Sequence, residues 1–246
     1  MKKPLLVFLF FILSLHAKNL EVDYSVEFGI IGEVAKIHAK LTQDKKYYFL
    51  DANVTVMGSI ARSVTRNLKE RHISKGHLLK GLLITDMYQM IKSYGEYTST
   101  TIYRVDHKRK KVDKHYRKWK LEKKIRDEKI HLKYYGTDDL MTFFLNLNKH
   151  IEDKQKVRNY LFTVVGADKK NGRVDLKIPS RKSTNKMQKL LDKPKEGEWL
   201  SNVVMHRKLY NSKKGELMLR MDKRSIVEKA VLKDLLFFGD IRIIRK

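Results

Sequence analysis

The sequence predicts a mainly β protein: one curved, mostly antiparallel sheet or open barrel of about ten strands, with one inserted amphipathic helix. Two patterns predict this fold class. Apolar and polar residues alternate with a period of two over most of the chain from Val22 onward, which is typical of strands with one buried face. One stretch, residues 138–151, has helical spacing instead. With 246 residues, 42% of them apolar, we expect a single β-rich domain over residues 18–246.

Residues 1–17 have the features of a bacterial secretory signal peptide. Lys2 and Lys3 precede an eleven-residue apolar run at residues 5–15, and the small Ala17 stands at the expected cleavage position. Eleven residues are too few to span a bilayer, which takes about 20. We therefore predict a periplasmic protein, cleaved near Ala17, with no transmembrane segment in the mature chain.

The first predicted strands form an antiparallel meander. Three alternating runs begin it, at residues 22–28, 35–41 and 48–56. Residues 58–66 lose the alternation and are interpreted as a short helix or an irregular crossing. The pattern returns over residues 69–93, with its phase blurred near Gly76 and Gly81, and is sharp again over residues 97–105.

A strongly basic hairpin follows. Residues 106–111 (DHKRKK) form its tip, and residues 107–129 contain 12 Lys or Arg against 4 Asp or Glu. On a return strand, alternate residues share one face, and an aromatic ring interleaved with the charges suits an anionic ligand. The candidate ligand-binding residues on this strand are Lys114, Tyr116, Lys118, Lys120 and Trp119. The alternative is a solvated strand whose charges deter edge-to-edge pairing. Residues 130–134 are predicted to form another short strand.

Residues 138–151 form the predicted helix. Its apolar positions follow the spacing i, i+3, i+4, i+7 and i+11 and are Leu140, Phe143, Phe144, Leu147 and Ile151. Thr137 and Asp138 are expected to cap its start, with Asp139 in the first turn. Phe143 and Phe144 either plug one side of the curved sheet as ordinary core or cover a hydrophobic cleft, and both are retained as candidate ligand-binding residues.

The rest of the chain is predicted to return to strands. Residues 157–165 and 174–178 flank Asn171-Gly172, a pair that favours a type I′ hairpin. Residues 179–197 are interpreted as a long polar loop with a short helical turn at residues 186–191. Two more hairpins are predicted, one turning at residues 212–215 between strands at 200–210 and 217–221, and one turning at 239–240 between strands at 226–238 and 241–244.

No residue pattern indicates catalysis, a cofactor or a metal ion. The chain has no cysteine, which excludes disulfides, zinc–thiolate sites, thiol nucleophiles and lipidation of an N-terminal cysteine. It contains no HExxH, GxSxG or glycine-rich phosphate loop. His72 and His77 are interpreted as solvated surface, and Asp138 and Asp139 as capping residues rather than a catalytic pair. We therefore expect a protein that is not an enzyme.

The formal net charge is +26, and loss of Lys2 and Lys3 with the signal peptide lowers it to +24. Such a charge concentrates anions near the surface. The partners it favours are phospholipid headgroups, lipopolysaccharide phosphates and anionic wall polymers, while nucleic acid is unlikely for an exported chain. The alternative is a general lysine richness of the source organism's proteins.

Four short motifs, in this order, resemble an uncharacterised family of exported Gram-negative β-rich proteins defined only as a domain of unknown function. They are YSVEFG at 24–29 followed by Gly32-Glu33, YRVD at 103–106 with the basic hairpin, TDDL at 137–140, and residues 170–174. The chain differs from the family in its higher lysine content and its long loop after Pro179. The resemblance implies no catalytic residues. More distantly, the architecture is similar to the half-barrel lipoprotein carriers of the periplasm, which shelter lipid.

These features together predict an exported, non-enzymatic envelope binding or carrier protein whose ligand is an anionic amphiphile, a lipid or lipopolysaccharide-like molecule. The alternative is a structural or assembly factor that docks on an envelope protein or an anionic wall polymer.

Overall fold

The computed structural model describes residues 18–29, 31–167, 170–205, 216–235 and 239–246. The predicted signal peptide, residues 1–17, and the predicted turn at residues 212–215 lie outside the described residues. The strands of the described part are β1 (Lys18–Phe28), β2 (Gly32–Gln43), β3 (Tyr47–Val56), β4 (Lys69–Leu79), β5 (Leu82–Tyr94), β6 (Tyr97–Asp106), β7 (Lys111–Lys120), β8 (Lys123–His131), β9 (Asp138–Asp139), β10 (Arg158–Val165), β11 (Arg173–Ile178), β12 (Trp199–Val204), β13 (Glu216–Met221), β14 (Val227–Leu235) and β15 (Gly239–Arg245).

All of these strands belong to one open sheet. Its order from edge to edge is β8-β7-β6-β5-β4-β3-β2-β1-β15-β14-β13-β12-β11-β10-β9. Each half is a meander, and the antiparallel pairing of β1 with β15 joins the two halves. Among the described strands, only the two-residue β9 pairs in parallel, with β10. At the other edge, every residue of β8 is exposed and most are charged, which disfavours pairing with a second chain.

The predicted fold class, a mainly β open sheet, is confirmed, although the described residues contain 15 strands rather than about ten. Residues 69–93 contain two strands, β4 and β5, joined by a tight turn at Lys80-Gly81. A register shift between Lys75 and Gly76 interrupts their alternation, which explains the blurred phase. Strand β8 spans Lys123–His131 instead of residues 130–134, because a strand exposed on both faces shows no alternation.

Three helices are present in the part of the chain that the structure describes: α1 (Ser59–Thr65), α2 (Leu140–His150) and α3 (Arg181–Leu191). Helix α2 starts two residues later than the predicted 138, because its N-cap is Asp139 rather than Thr137 or Asp138, and the Asp139 carboxylate accepts from the backbone N–H groups of Met141 and Thr142. Helix α3 occupies most of the predicted loop. Its sequence is so polar that only Met187 and Leu191, one helical turn apart, are buried. Among these helices none is both long enough and apolar enough to cross a membrane.

The main hydrophobic core lies in the C-terminal half of the sheet, where α2 packs on the strands from β10 to β14. Phe143, Leu147 and Ile151 are fully buried there, together with residues such as Val174 and Leu219. We call the face of the sheet on which α2 packs its inner face. On that face, α2 also contacts β5 of the N-terminal half. The helix therefore connects the two halves of the sheet.

Candidate functional site

The inner face of the sheet around the β1–β15 junction lines an apolar cavity of about 570 Å³. This volume is within the range of about 300–1,000 Å³ found for ligand sites. Ala39 on β2 and Ala52 on β3 are directly paired in the lining, and their small side chains leave room between the strands. The lining that the strands contribute, almost all of it aliphatic, is Leu20, Val22, Tyr24, Val26, Val34, Ala35, Ile37, Ala39, Leu41, Leu50, Ala52, Val54, Val56, Leu217, Leu219, Val227, Ala230, Leu232, Ile241 and Ile243.

Helices line the two ends of the cavity. Met141, Phe144 and Leu145 of α2 lie at the end near Leu20 of β1, and α1 with Leu68 lies at the end near Val26. These two positions on β1 are six residues apart, a length of about 20 Å along a strand. The cavity is therefore long and narrow, with a helix at each end.

Helix α2 is anchored to the rest of the protein more strongly than helix α1. Helix α2 has a capping box and four buried residues. Helix α1 has no buried residue, and its N-cap, Gly58, makes no side-chain hydrogen bond. Ile60 and Val64 on its outer side are 62% and 63% exposed. Helix α1 is therefore the more weakly anchored of the two helices that line the cavity.

The cavity face continues across the N-terminal half of the sheet and changes chemistry there. Directly paired residues of neighbouring strands point to the same face. One row of pairs runs from Val54 on β3 through Glu70, Lys92 and Ser99 to Lys118 on β7. The next two rows begin at Ala52 and Leu50 and end at Tyr116 and Lys114. The aliphatic lining of β3 thus gives way to lysine and tyrosine on the same face.

We call the inner face of β5–β8 the basic strip; its members are Lys92, Tyr94, Tyr97, Tyr103, Lys114, Tyr116, Lys118, Lys120 and Arg126. Cations lie over aromatic rings along it. The Nζ of Lys118 is 4.4 Å from the ring centre of Tyr97, and the guanidinium of Arg126 is 5.3 Å from that of Tyr116. A hydrogen bond with Tyr94 raises the pKa of Lys118, so the ammonium stays charged. The rings attract these cations, and the carboxylate of Glu128 also pairs with Arg126 at 2.5 Å.

The structure separates the sequence-predicted site residues into three groups. Lys114, Tyr116, Lys118 and Lys120 share the inner face as members of the basic strip. Trp119 points to the opposite face, where the guanidinium of Arg117 lies 5.5 Å from its ring centre.

The two phenylalanines of α2 occupy different environments. Phe144 lines the cavity, whereas Phe143 is fully buried in the main core. The ring of Phe143 packs edge-on against Phe144 and against Phe162, with centroid distances of 5.3 and 5.2 Å. Phe143 therefore packs behind the cavity wall and does not line the cavity.

A buried polar network holds α2 against the N-terminal half of the sheet. The carboxylate of Asp139 is fully buried and accepts hydrogen bonds from Ser74 Oγ on β4 and from Thr85 Oγ1 on β5, the latter at 3.0 Å. Burial raises the pKa of Asp139. The side chain of Asn146 bonds to both backbone groups of Leu83 at 3.0 Å. The sequence patterns assign Asp139 only a capping role, because its strand partners are 54 and 65 residues away.

A second polar cluster lies outside the cavity lining. His77, Asp86 and His107 bring three ligand-type atoms within 4.8 Å of one another. The sequence patterns predict His77 as solvated surface and no metal site, since consecutive members of this cluster are 9 and 21 positions apart and match no motif. His72 is also predicted as solvated surface, but it is part-buried, and its Nδ1 lies 2.8 Å from the hydroxyl of Tyr88.

No family model matches this chain, and no curated protein matches it either. A solved structure shares its fold. That structure is the beta-barrel-like protein of domain of unknown function DUF1849 from Brucella abortus, with a TM-score of 0.50 over 94% of this chain and 95% of that chain. The finding confirms the predicted resemblance to an uncharacterised β-rich family. At 8% identity the likeness is one of fold, and no residue role is carried over.

Proposed function

We propose that this protein is an exported, non-enzymatic carrier for an anionic amphiphile of the cell envelope. The observation that carries the proposal is the continuous inner face, which passes from an aliphatic cavity at β1–β3 to the basic strip at β5–β8. An apolar chain would occupy the cavity and its anionic head would lie on the strip. The features of residues 1–17 support an envelope location.

The cavity suits an acyl chain in both length and lining. Its two helical ends are about 20 Å apart along β1, and nearly every residue between them is aliphatic. Each methylene transferred from water to such a lining contributes about 0.8 kcal/mol. Since the acyl chain of the ligand supplies most of the binding free energy, contacts to its anionic head need only determine which ligand binds and in which orientation.

The spacing across the sheet favours an extended head over a small one. Neighbouring strands are about 4.8 Å apart, so along the sheet the backbone of Lys92, whose ammonium pairs with Glu70, lies about 10 Å from that of Val54 at the cavity wall, and the backbone of Lys118 about 19 Å from it. A single phosphate at the end of an acyl chain could not extend along the whole basic strip. A phosphorylated sugar head could, with its phosphates near the lysines and its rings against the tyrosine faces.

The cavity is tested by filling it. Ala52→Phe places a ring in the lining, and Asn53→Phe places the same ring on the opposite face of β3 as a matched control. Binding of a dansyl-labelled fatty acid should be lost in Ala52→Phe and kept in Asn53→Phe, with both variants folded by circular dichroism. Native mass spectrometry of protein purified from the periplasm should show a lipid adduct that Ala52→Phe lacks. Equal probe binding by both variants would overturn the carrier proposal.

The strip is tested separately, with vesicles of phosphatidylglycerol in phosphatidylcholine. Replacing Lys114, Lys118 and Lys120 by Gln removes three cations, each worth about 1 kcal/mol near an anionic surface, so binding should fall by about 100-fold at low salt. Arg117→Gln, on the opposite face of the same strand, should change binding least. If the triple variant binds as tightly as the wild type, the strip does not contact the head. A stoichiometric protein crosslink in cells, with no lipid adduct, would instead support an assembly factor.

A further inference from the structure

We propose that His77, Asp86 and His107 form a binding site for a divalent transition-metal ion, with Zn²⁺ as the best match. Two imidazoles and one carboxylate are ligands that zinc prefers, and they do not suit Ca²⁺ or Mg²⁺. This inference is independent of the proposed carrier function, since none of the three residues lines the cavity.

The ligand atoms already have nearly the spacing that a metal ion requires. Asp86 Oδ1 is 2.9 Å from His77 Nδ1 and 3.1 Å from His107 Nε2. Ligands about 2.0–2.1 Å from a tetrahedral zinc ion are about 3.3 Å apart, so the two carboxylate–imidazole distances need to lengthen by only a few tenths of an ångström, and the two imidazole nitrogens lie within 4.8 Å of each other. The carbonyl oxygen of Thr85, 3.0 Å from His107 Nε2, is available as a fourth donor. The two imidazole rings are edge-on, at an interplanar angle of 88°, rather than stacked face to face.

The fold positions the carboxylate by a β-bulge. Strand β5 pairs Met87 with Lys75 and Thr85 with Gly76, so Asp86 between them has no partner on β4. Bulges of this kind redirect a side chain, and they are frequent next to functional sites. Gly76 permits the bulge, since a Cβ there would lie 1.8 Å from a backbone oxygen of β5. The same shift brings Asp86 beside His77.

His107 is oriented by a partner behind it. It follows β6 at the tip of the basic hairpin, and its Nδ1 is 2.8 Å from the hydroxyl of Tyr135. When Nε2 binds a metal ion, a neutral imidazole carries its proton on Nδ1 and donates it to such an oxygen. The three ligand side chains are 24–42% exposed, so an ion can reach them from solvent.

The test is a Zn²⁺ titration of the full exported chain without a histidine tag, by calorimetry against a competing chelator. We expect one tight site per chain, and Co²⁺ at the same site should give the absorption bands of a low-symmetry nitrogen–oxygen environment. His77→Gln, Asp86→Asn and His107→Gln should each weaken binding by more than about 100-fold, and Tyr135→Phe by about 10- to 100-fold.

His131→Gln is the matched control. His131 also pairs with an aspartate, Asp113, but only two ligand groups meet there. This variant should bind Zn²⁺ as the wild type does. Absence of a tight site in the wild type, or equal affinity in the three triad variants and the control, would overturn the proposal. Circular dichroism without metal checks that the variants fold. If a histidine variant does not fold, Asp86→Asn, which keeps the side-chain shape, provides the test of the site.

Discussion

Replacing the buried Asp139 should destabilise the protein in a way that depends on the substitute. In Asp139→Ala, helix α2 loses its N-cap, which costs about 1 kcal/mol. The buried hydroxyls of Ser74 and Thr85 lose an acceptor, and each unsatisfied group costs about 1–3 kcal/mol. Both hydroxyls keep other partners, since Ser74 Oγ lies 2.9 Å from the hydroxyl of Tyr48 and Thr85 Oγ1 lies 3.1 Å from Thr142 Oγ1. We therefore expect a total loss of about 3 kcal/mol.

Asp139→Asn is the discriminating comparison. Its side-chain oxygen can still accept from the N–H groups of Met141 and Thr142. Its NH₂ group can donate to the hydroxyls of Ser74 and Thr85, because a hydroxyl accepts as well as donates. Asparagine also avoids burial of a charge. We expect this variant to lose about 1 kcal/mol or less.

The assay is equilibrium unfolding in urea, followed by circular dichroism, with the dependence on urea held common to all variants. A loss as large for Asn as for Ala would refute the reasoning, because it would mean that the charge, and not the hydrogen-bond geometry, holds α2 in place. A loss below about 1 kcal/mol for Ala would show that the network does not anchor the helix.

Three further outcomes follow from the same structure. Burial acts to raise the pKa of Glu70, but hydrogen bonds and charges from His72 and Lys92 outweigh it and lower the pKa to about 2. Glu70 therefore stabilises the folded state by about 3 kcal/mol at a pH above its ordinary pKa, and this contribution is lost as the pH falls from about 4.5 to 2. In urea titrations across that range, Glu70→Gln should remove this acid dependence. Gly76→Ala should cost more than about 3 kcal/mol, because the new Cβ would lie 1.8 Å from a backbone oxygen; an unchanged urea midpoint would contradict the bulge. Phe143→Ala should cost about 3–5 kcal/mol in the same assay, as expected for a fully buried ring, and a smaller loss would place the ring outside the core.

The sheet was predictable because its first strands follow a simple alternation. Val22, Ala39 and Ala52 alternate with polar neighbours, and all three indeed lie on one face. The bulge at Asp86 was not predictable, since it depends on how β4 and β5 pair rather than on either sequence. Strand β8 was assigned too short because neither of its faces is buried.

The candidate site was predictable only within single elements, such as strand β7. Alternation placed Lys114, Tyr116 and Lys118 on one face and Arg117 on the other, as the structure has them. No local pattern could relate that face to the cavity, because the connection runs through four ladders of strand pairs. The triad of His77, Asp86 and His107 was missed for the same reason.

The distribution of burial explains how the sheet can hold a cavity and remain stable. Inner-face residues of the C-terminal half, such as Val174 and Leu176, are 0% exposed in the core under α2, whereas those of β1 and β2, such as Val22 and Leu41, remain 8–9% exposed. The C-terminal half therefore supplies a packed core, and the strands around the β1–β15 junction leave part of their apolar face unfilled. Helix α2 belongs to both regions, since Phe143 packs in the core while Phe144 lines the cavity. A ligand that fills the cavity would complete the packing of the N-terminal half, and its binding should accordingly stabilise the whole sheet.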